Sequence, residues 1–104
     1  MRKLFSDIVG VLEYGLPLDK NLLSDSFSYE GPSKMIGADA WFDFFSRQRS
    51  PVKIIDKASE ENKLVIIFCE VDDVTLLKYR FCWFLTANDN KFIKLIEIKE
   101  SVEF

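Results

Sequence analysis

Residues 76–86 read Leu76-Leu77-Lys78-Tyr79-Arg80-Phe81-Cys82-Trp83-Phe84-Leu85-Thr86, and the division of this run between two faces decides the fold. Successive side chains of an extended strand point to opposite sides. One face then carries Leu77, Tyr79, Phe81, Trp83 and Leu85, and the other Leu76, Lys78, Arg80, Cys82, Phe84 and Thr86. A sheet with one wet side should alternate apolar with polar residues. Here one face is wholly apolar and the other is mixed. Both sides are therefore expected to be covered, one by helices and the other by a second copy of the chain.

Strand-like runs flank this segment at 52–59, 63–71 and 91–99. Their connections, Glu60-Glu61-Asn62, Asp72-Asp73 and Ala87-Asn88-Asp89-Asn90, are short and polar, which indicates an antiparallel meander with solvated turns. The tail Glu97-Ile98-Lys99-Glu100 reads as strand alternation fraying into solvent.

The first half is mostly helical in pattern. Over residues 2–14, Leu4, Phe5, Ile8, Val11 and Leu12 share one helical face, and Gly15 and Pro17 stop the helix. Asp19 can cap a short second helix anchored by Leu22 and Leu23. Residues 26–30 alternate like a short strand, and Gly31-Pro32-Ser33 is a turn. A third helix runs from about Gly37 to Arg47, with Trp41, Phe42, Phe44 and Phe45 on one broad arc that should plug the core. Helices first and strands after them predict an α+β fold, not alternating βαβ units.

The 104 residues suit a single domain over 1–104, and 48% are hydrophobic, ten of them Phe. The net charge is −3 without a basic block, which excludes a phosphate-neutralising nucleic-acid surface and disfavours anionic membrane. The basic start Met1-Arg2-Lys3 is followed by Asp7 and Glu13 and makes a poor signal peptide. The expected location is cytoplasmic. Cys69 and Cys82 lie inside apolar runs and read as free thiols of a reducing compartment. There is no histidine, which removes the usual general base, the usual metal ligand and every Ser-His or Cys-His mechanism. No cofactor and no metal are expected.

The order of elements, together with Leu22-Leu23-Ser24-Asp25-Ser26-Phe27-Ser28-Tyr29-Glu30-Gly31-Pro32 and Ile36-Gly37-Ala38-Asp39-Ala40-Trp41-Phe42-Asp43-Phe44-Phe45, resembles the nuclear transport factor 2-like family. That family includes ketosteroid isomerases and polyketide cyclases. The resemblance implies a cone: a curved antiparallel sheet wrapped around about three N-terminal helices, with an apolar pocket at its mouth. It also implies homodimerisation through the convex face of the sheet, which matches an outward Leu77, Tyr79, Phe81, Trp83 and Leu85. Ketosteroid isomerases hold a general-base aspartate just before the proline of the strand-turn segment, and Gly31 stands there. Of their oxyanion site, Tyr14 corresponds to the tyrosine of the first helix, while Cys82 replaces the acid of the long strand.

In that orientation the ligand-binding candidates are Tyr14, Tyr29, Trp41, Phe45, Arg80, Cys82 and Phe84. An inward Arg80 requires either a carboxylate partner, for which Glu70 and Glu30 are candidates, or a carboxylate-bearing ligand. Cys82 is a poor nucleophile, with no histidine or helix terminus to form its thiolate. The expected function is a homodimeric domain that binds a small, mostly apolar molecule without evident catalysis. The alternatives are an assembly module acting through the apolar sheet face, and a cofactor-free isomerase or cyclase using Tyr14, Tyr29 and Glu30 or Glu70.

Overall fold

Leu4, Ile8, Val11 and Leu12 recur at helical spacing, and all are buried, so the first thirteen-residue helix, α1 (Arg2–Tyr14), turns one apolar stripe inward. Gly15 ends it at φ 67°, a left-handed cap that costs glycine nothing. The Val52 N–H donates to the Leu12 carbonyl at 2.9 Å and satisfies one orphan group of the helix end. The computed structural model describes residues 2–34, 37–47, 51–71 and 78–102.

Asp19 caps a single 3-10 turn, Lys20–Leu22, by accepting from the Asn21 N–H at 2.9 Å. Strand β1 (Leu23–Glu30) follows, then helix α2 (Ala38–Arg47). The remaining strands are β2 (Lys53–Glu60), β3 (Lys63–Val71), β4 (Lys78–Asn88) and β5 (Lys91–Val102). β4 and β5 are joined through Asp89 and Asn90, at φ 50° and 61°, the left-handed pair that a tight hairpin demands and that Asp and Asn tolerate.

Among the described residues the sheet has five strands, in the order β1-β5-β4-β3-β2. β2 to β5 form the expected antiparallel meander, while β1 lies parallel to β5 and makes the sheet mixed. Register shifts at Ile54/Asp56, at Thr86/Ala87 and between Leu23 and Ser28 bend the strands. The sheet therefore curves without closing and wraps its concave face around both helices. The predicted α+β architecture holds, with the second helix reduced to one 3-10 turn.

The two faces of β4 are the reverse of the sequence expectation. Trp83 and Leu85 are each 2% exposed and Phe81 packs against the core, so this face meets the helices. Arg80 and Phe84 are exposed on the other side, and Cys82 is half-buried there. The reason is simple burial: the apolar stripes of α1 and α2 need an apolar sheet face opposite them, and the wholly apolar face of β4 supplies it. Phe81, Trp83 and Leu85 are thus interior residues and not a convex interface. Tyr79 shares their face, and Leu77 lies outside the described residues.

Candidate functional site

The interior of the cone is an aromatic cluster. Trp41 of α2 stacks on Phe45 at 5.0 Å and meets Trp83 of β4 edge-on at 5.8 Å. Phe68 of β3 stands edge-on to Trp83 at 5.3 Å and stacks on Phe81 at 5.0 Å. The rings do not fill the space. They leave a pocket of about 110 Å³, also bounded by Val11, Leu12, Phe44, Val52, Ser33 and three charged residues, Glu70, Glu97 and Lys99.

Glu97 is the centre of the polar chemistry. It pairs with Trp83 across β4 and β5, so both side chains project from the same face. One carboxylate oxygen accepts from the Tyr29 hydroxyl at 2.6 Å and the other from Trp83 Nε1–H at 2.7 Å. Burial pushes the Tyr29 phenol up, and the hydrogen bond and charge of Glu97 push it further, against a smaller pull downward from Ser33. Tyr29 therefore stays protonated at neutral pH and serves as a donor.

Gly31 explains how Tyr29 reaches Glu97. A Cβ at Gly31 would overlap the Tyr29 hydroxyl and stand 2.7 Å from its Cζ. The phenol bends back over its own chain into the space a side chain at position 31 would need. The position where the resemblance puts a catalytic aspartate is bare because Tyr29 occupies it.

Of the ligand-binding residues expected from the sequence, Tyr29, Trp41 and Phe45 meet in this pocket. Tyr14 does not: it is 68% exposed at the end of α1, beside a separate shallow groove with Leu16 and Asp19. Arg80, Cys82 and Phe84 lie on the outer face of the sheet. Arg80 pairs there with Glu100, its partner across the strands, and not with Glu70 or Glu30. Glu30 is exposed, opposite Ile96. The Cys82 thiol is pushed up by burial, with a smaller opposing pull from Arg80, so it is no nucleophile. Glu97 is the residue the sequence reading missed. Two positions apart on one face, Leu95 and Glu97 follow a single alternation, and that alternation places a carboxylate inside. Among the described residues, no group of three or more His, Cys, Asp or Glu side chains could hold a metal ion.

No protein-family model matches the chain, and no curated protein matches it. Solved structures do. A protein of unknown function from Mesorhizobium loti, described as NTF2-like, superposes with a TM-score of 0.82 at 10% identity, over 95% of this chain and 89% of that one. Another NTF2-like protein of unknown function, from Cytophaga hutchinsonii, gives 0.75 at 14% identity, over 95% and 88%. The chain has the NTF2-like fold. A de novo designed protein with a curved β-sheet matches as well, with a TM-score of 0.75 at 16% identity over 95% of this chain and 84% of that one. Likeness at this level of identity establishes the fold and no activity, so function must be argued from the pocket. No described helix is long and apolar enough to cross a membrane.

Proposed function

We propose that this NTF2-like domain binds a small, mostly apolar molecule in its cone and does so as a homodimer, without evident catalysis. The observation that carries the binding role is the pocket itself: about 110 Å³ of open space between aromatic rings, with one oriented carboxylate on its wall. Drug-sized sites span about 300–1,000 Å³, and a dry cavity of about 150 Å³ takes up benzene. The ligand is therefore a compact molecule of a few heavy atoms, or the end of a longer one that leaves through the mouth. Binding is favoured over proton transfer because the two donors hold the Glu97 carboxylate in one fixed orientation, as suits an anchor for a ligand. The half-buried, unpaired thiols of Cys69 and Cys82 support a reducing, cytoplasmic setting.

The homodimer rests on the outer face of the sheet. Val65, Phe84 and Ile96 form one rung across β3, β4 and β5, and Ile67, Cys82 and Ile98 form the next. Phe84 is 40% and Ile98 53% exposed, so contiguous apolar surface faces water. The convex-face dimer implied by the resemblance is retained, with these residues in place of the inward Phe81, Trp83 and Leu85.

The test of the binding role is a fragment screen read on the Trp83 indole N–H by two-dimensional NMR. Compact apolar fragments should shift that resonance and leave the exposed groove at Tyr14 unaffected. A library that moves no pocket resonance would refute ligand binding and leave the outer face as the working surface.

A further inference from the structure

We infer that the pocket takes a small organic ammonium, a primary amine whose charged head meets Glu97 and whose short carbon chain lies among the Trp41, Phe45 and Phe81 rings. The inference rests on the proposed binding role and adds the charge of the ligand to it.

Three features of the pocket point to a cation. Glu97 is held by the Tyr29 hydroxyl and the Trp83 indole N–H, both neutral donors. They orient the carboxylate without cancelling its charge, and each oxygen keeps a further lone pair for an N–H of the ligand. The walls are aromatic, and the negative faces of such rings attract ammonium groups within about 6 Å. Lastly, the mouth already holds an ammonium on surface of this kind. Lys99 Nζ lies 4.3 Å from the Tyr79 ring centroid and 5.7 Å from that of Phe81.

Anionic ligands are disfavoured by the same inventory. Among the described residues, the charged groups lining the pocket are Glu70, Glu97 and Lys99, and the Glu97 carboxylate is the one that two neutral donors hold in place there. Arg80, the residue that would have received a ligand carboxylate, is bound to Glu100 on the outside. An anion entering the cone would be repelled at short range in a partly desolvated site, where charge interactions are strongest. The small volume sets the size of the chain at roughly four carbons, below the benzene that fills a cavity of about 150 Å³.

The experiment compares three compounds of nearly equal shape and different charge on the wild-type protein at pH 7: n-butylammonium, n-butanol and butyrate. The Trp83 indole N–H again reports binding. The cation is expected to bind at least tenfold more tightly than the alcohol, and butyrate more weakly than the alcohol. Glu97→Gln keeps the shape and an acceptor while removing the charge. It should bring the affinity for n-butylammonium within about twofold of that for n-butanol and leave the alcohol unchanged. Lys99→Met should raise affinity for the cation by removing the neighbouring ammonium. An alcohol that binds as tightly as the cation overturns the charge inference while the binding role stands. If none of the compounds moves the indole resonance, both fall. The wild-type comparison decides the question even if Glu97→Gln fails to fold.

Discussion

Gly31→Ala is the perturbation that most directly tests the geometry of the pocket. The substitution adds one methyl group to an exposed turn, and Gly31 does not adopt a left-handed φ that would itself strain alanine. By general rules the change should help, since alanine restricts the unfolded chain and contributes about 0.4–1 kcal/mol where the backbone suits it. Here the new Cβ would overlap the Tyr29 hydroxyl, stand 2.7 Å from Cζ and lie 3.1 Å from Glu97 Cβ. Tyr29 must swing away and release Glu97. A hydrogen bond to a charged group contributes about 1.5–3 kcal/mol, so the net cost is about 0.5–2.6 kcal/mol after the entropic gain. For a domain of 60–100 residues, each kcal/mol corresponds to about 4–8 °C in Tm, which puts the expected drop at roughly 2–21 °C. Urea denaturation of the single and double variants with Tyr29→Leu completes a mutant cycle, because leucine reaches neither Gly31 nor Glu97. In the Tyr29→Leu background, Gly31→Ala should cost no more than about 0.5 kcal/mol. Equal costs in both backgrounds would show that Tyr29 does not lie over Gly31, and the account of the bare position 31 would be wrong.

Tyr29→Phe should change the alkaline limb of the stability curve. The folded-state pKa of Tyr29 is raised above its unfolded value of about 10, so its contribution is fully present below pH 10 and is lost as pH rises further. Wild type should lose about 1.4 kcal/mol per pH unit from this group above pH 10 in urea titrations, and the variant should lack that increment. Phe84→Asp places a charge in the outer apolar rungs and should convert the proposed dimer to monomer in sedimentation equilibrium, with the circular dichroism spectrum unchanged. Persistence of the dimer would move the interface elsewhere. Trp41→Ala removes a ring that is 2% exposed and stacked on Phe45, and should cost about 3–5 kcal/mol by thermal or chemical denaturation.

The fold was legible because its signals are local and redundant. Period-3.6 spacing over Leu4–Leu12, the Gly15 stop and the Asp19 cap each act within a few residues, and the observed helix ends follow them. The Asp89-Asn90 turn marks its hairpin for a similar reason, since few residues accept two successive left-handed conformations. The parallel pairing of β1 with β5 joins Tyr29 to Leu95 across the length of the chain, and no short-range pattern encodes it. Alternation divides β4 into two faces but does not say which one is inside. That choice depends on what packs against the strand, and the apolar stripes of α1 and α2 settle it.

The site was harder to read because polar residues in a pocket look like polar residues in solvent. Glu97, Lys99 and Glu100 sit together near the end of β5, yet Glu97 and Lys99 line the cone while Glu100 pairs with Arg80 outside. Their difference is parity along the strand, fixed by the register of Glu97 opposite Trp83 and Glu100 opposite Arg80. A one-residue slip of β5 would turn Glu97 outward, strand the Trp83 indole N–H without its acceptor and expose Leu95. The buried indole and Leu95 therefore oppose that slip, and the packing that stabilises the core also aims the carboxylate. The composition of β5 offers Glu97 as a surface residue; only its partner across the strand makes it the polar centre of the pocket.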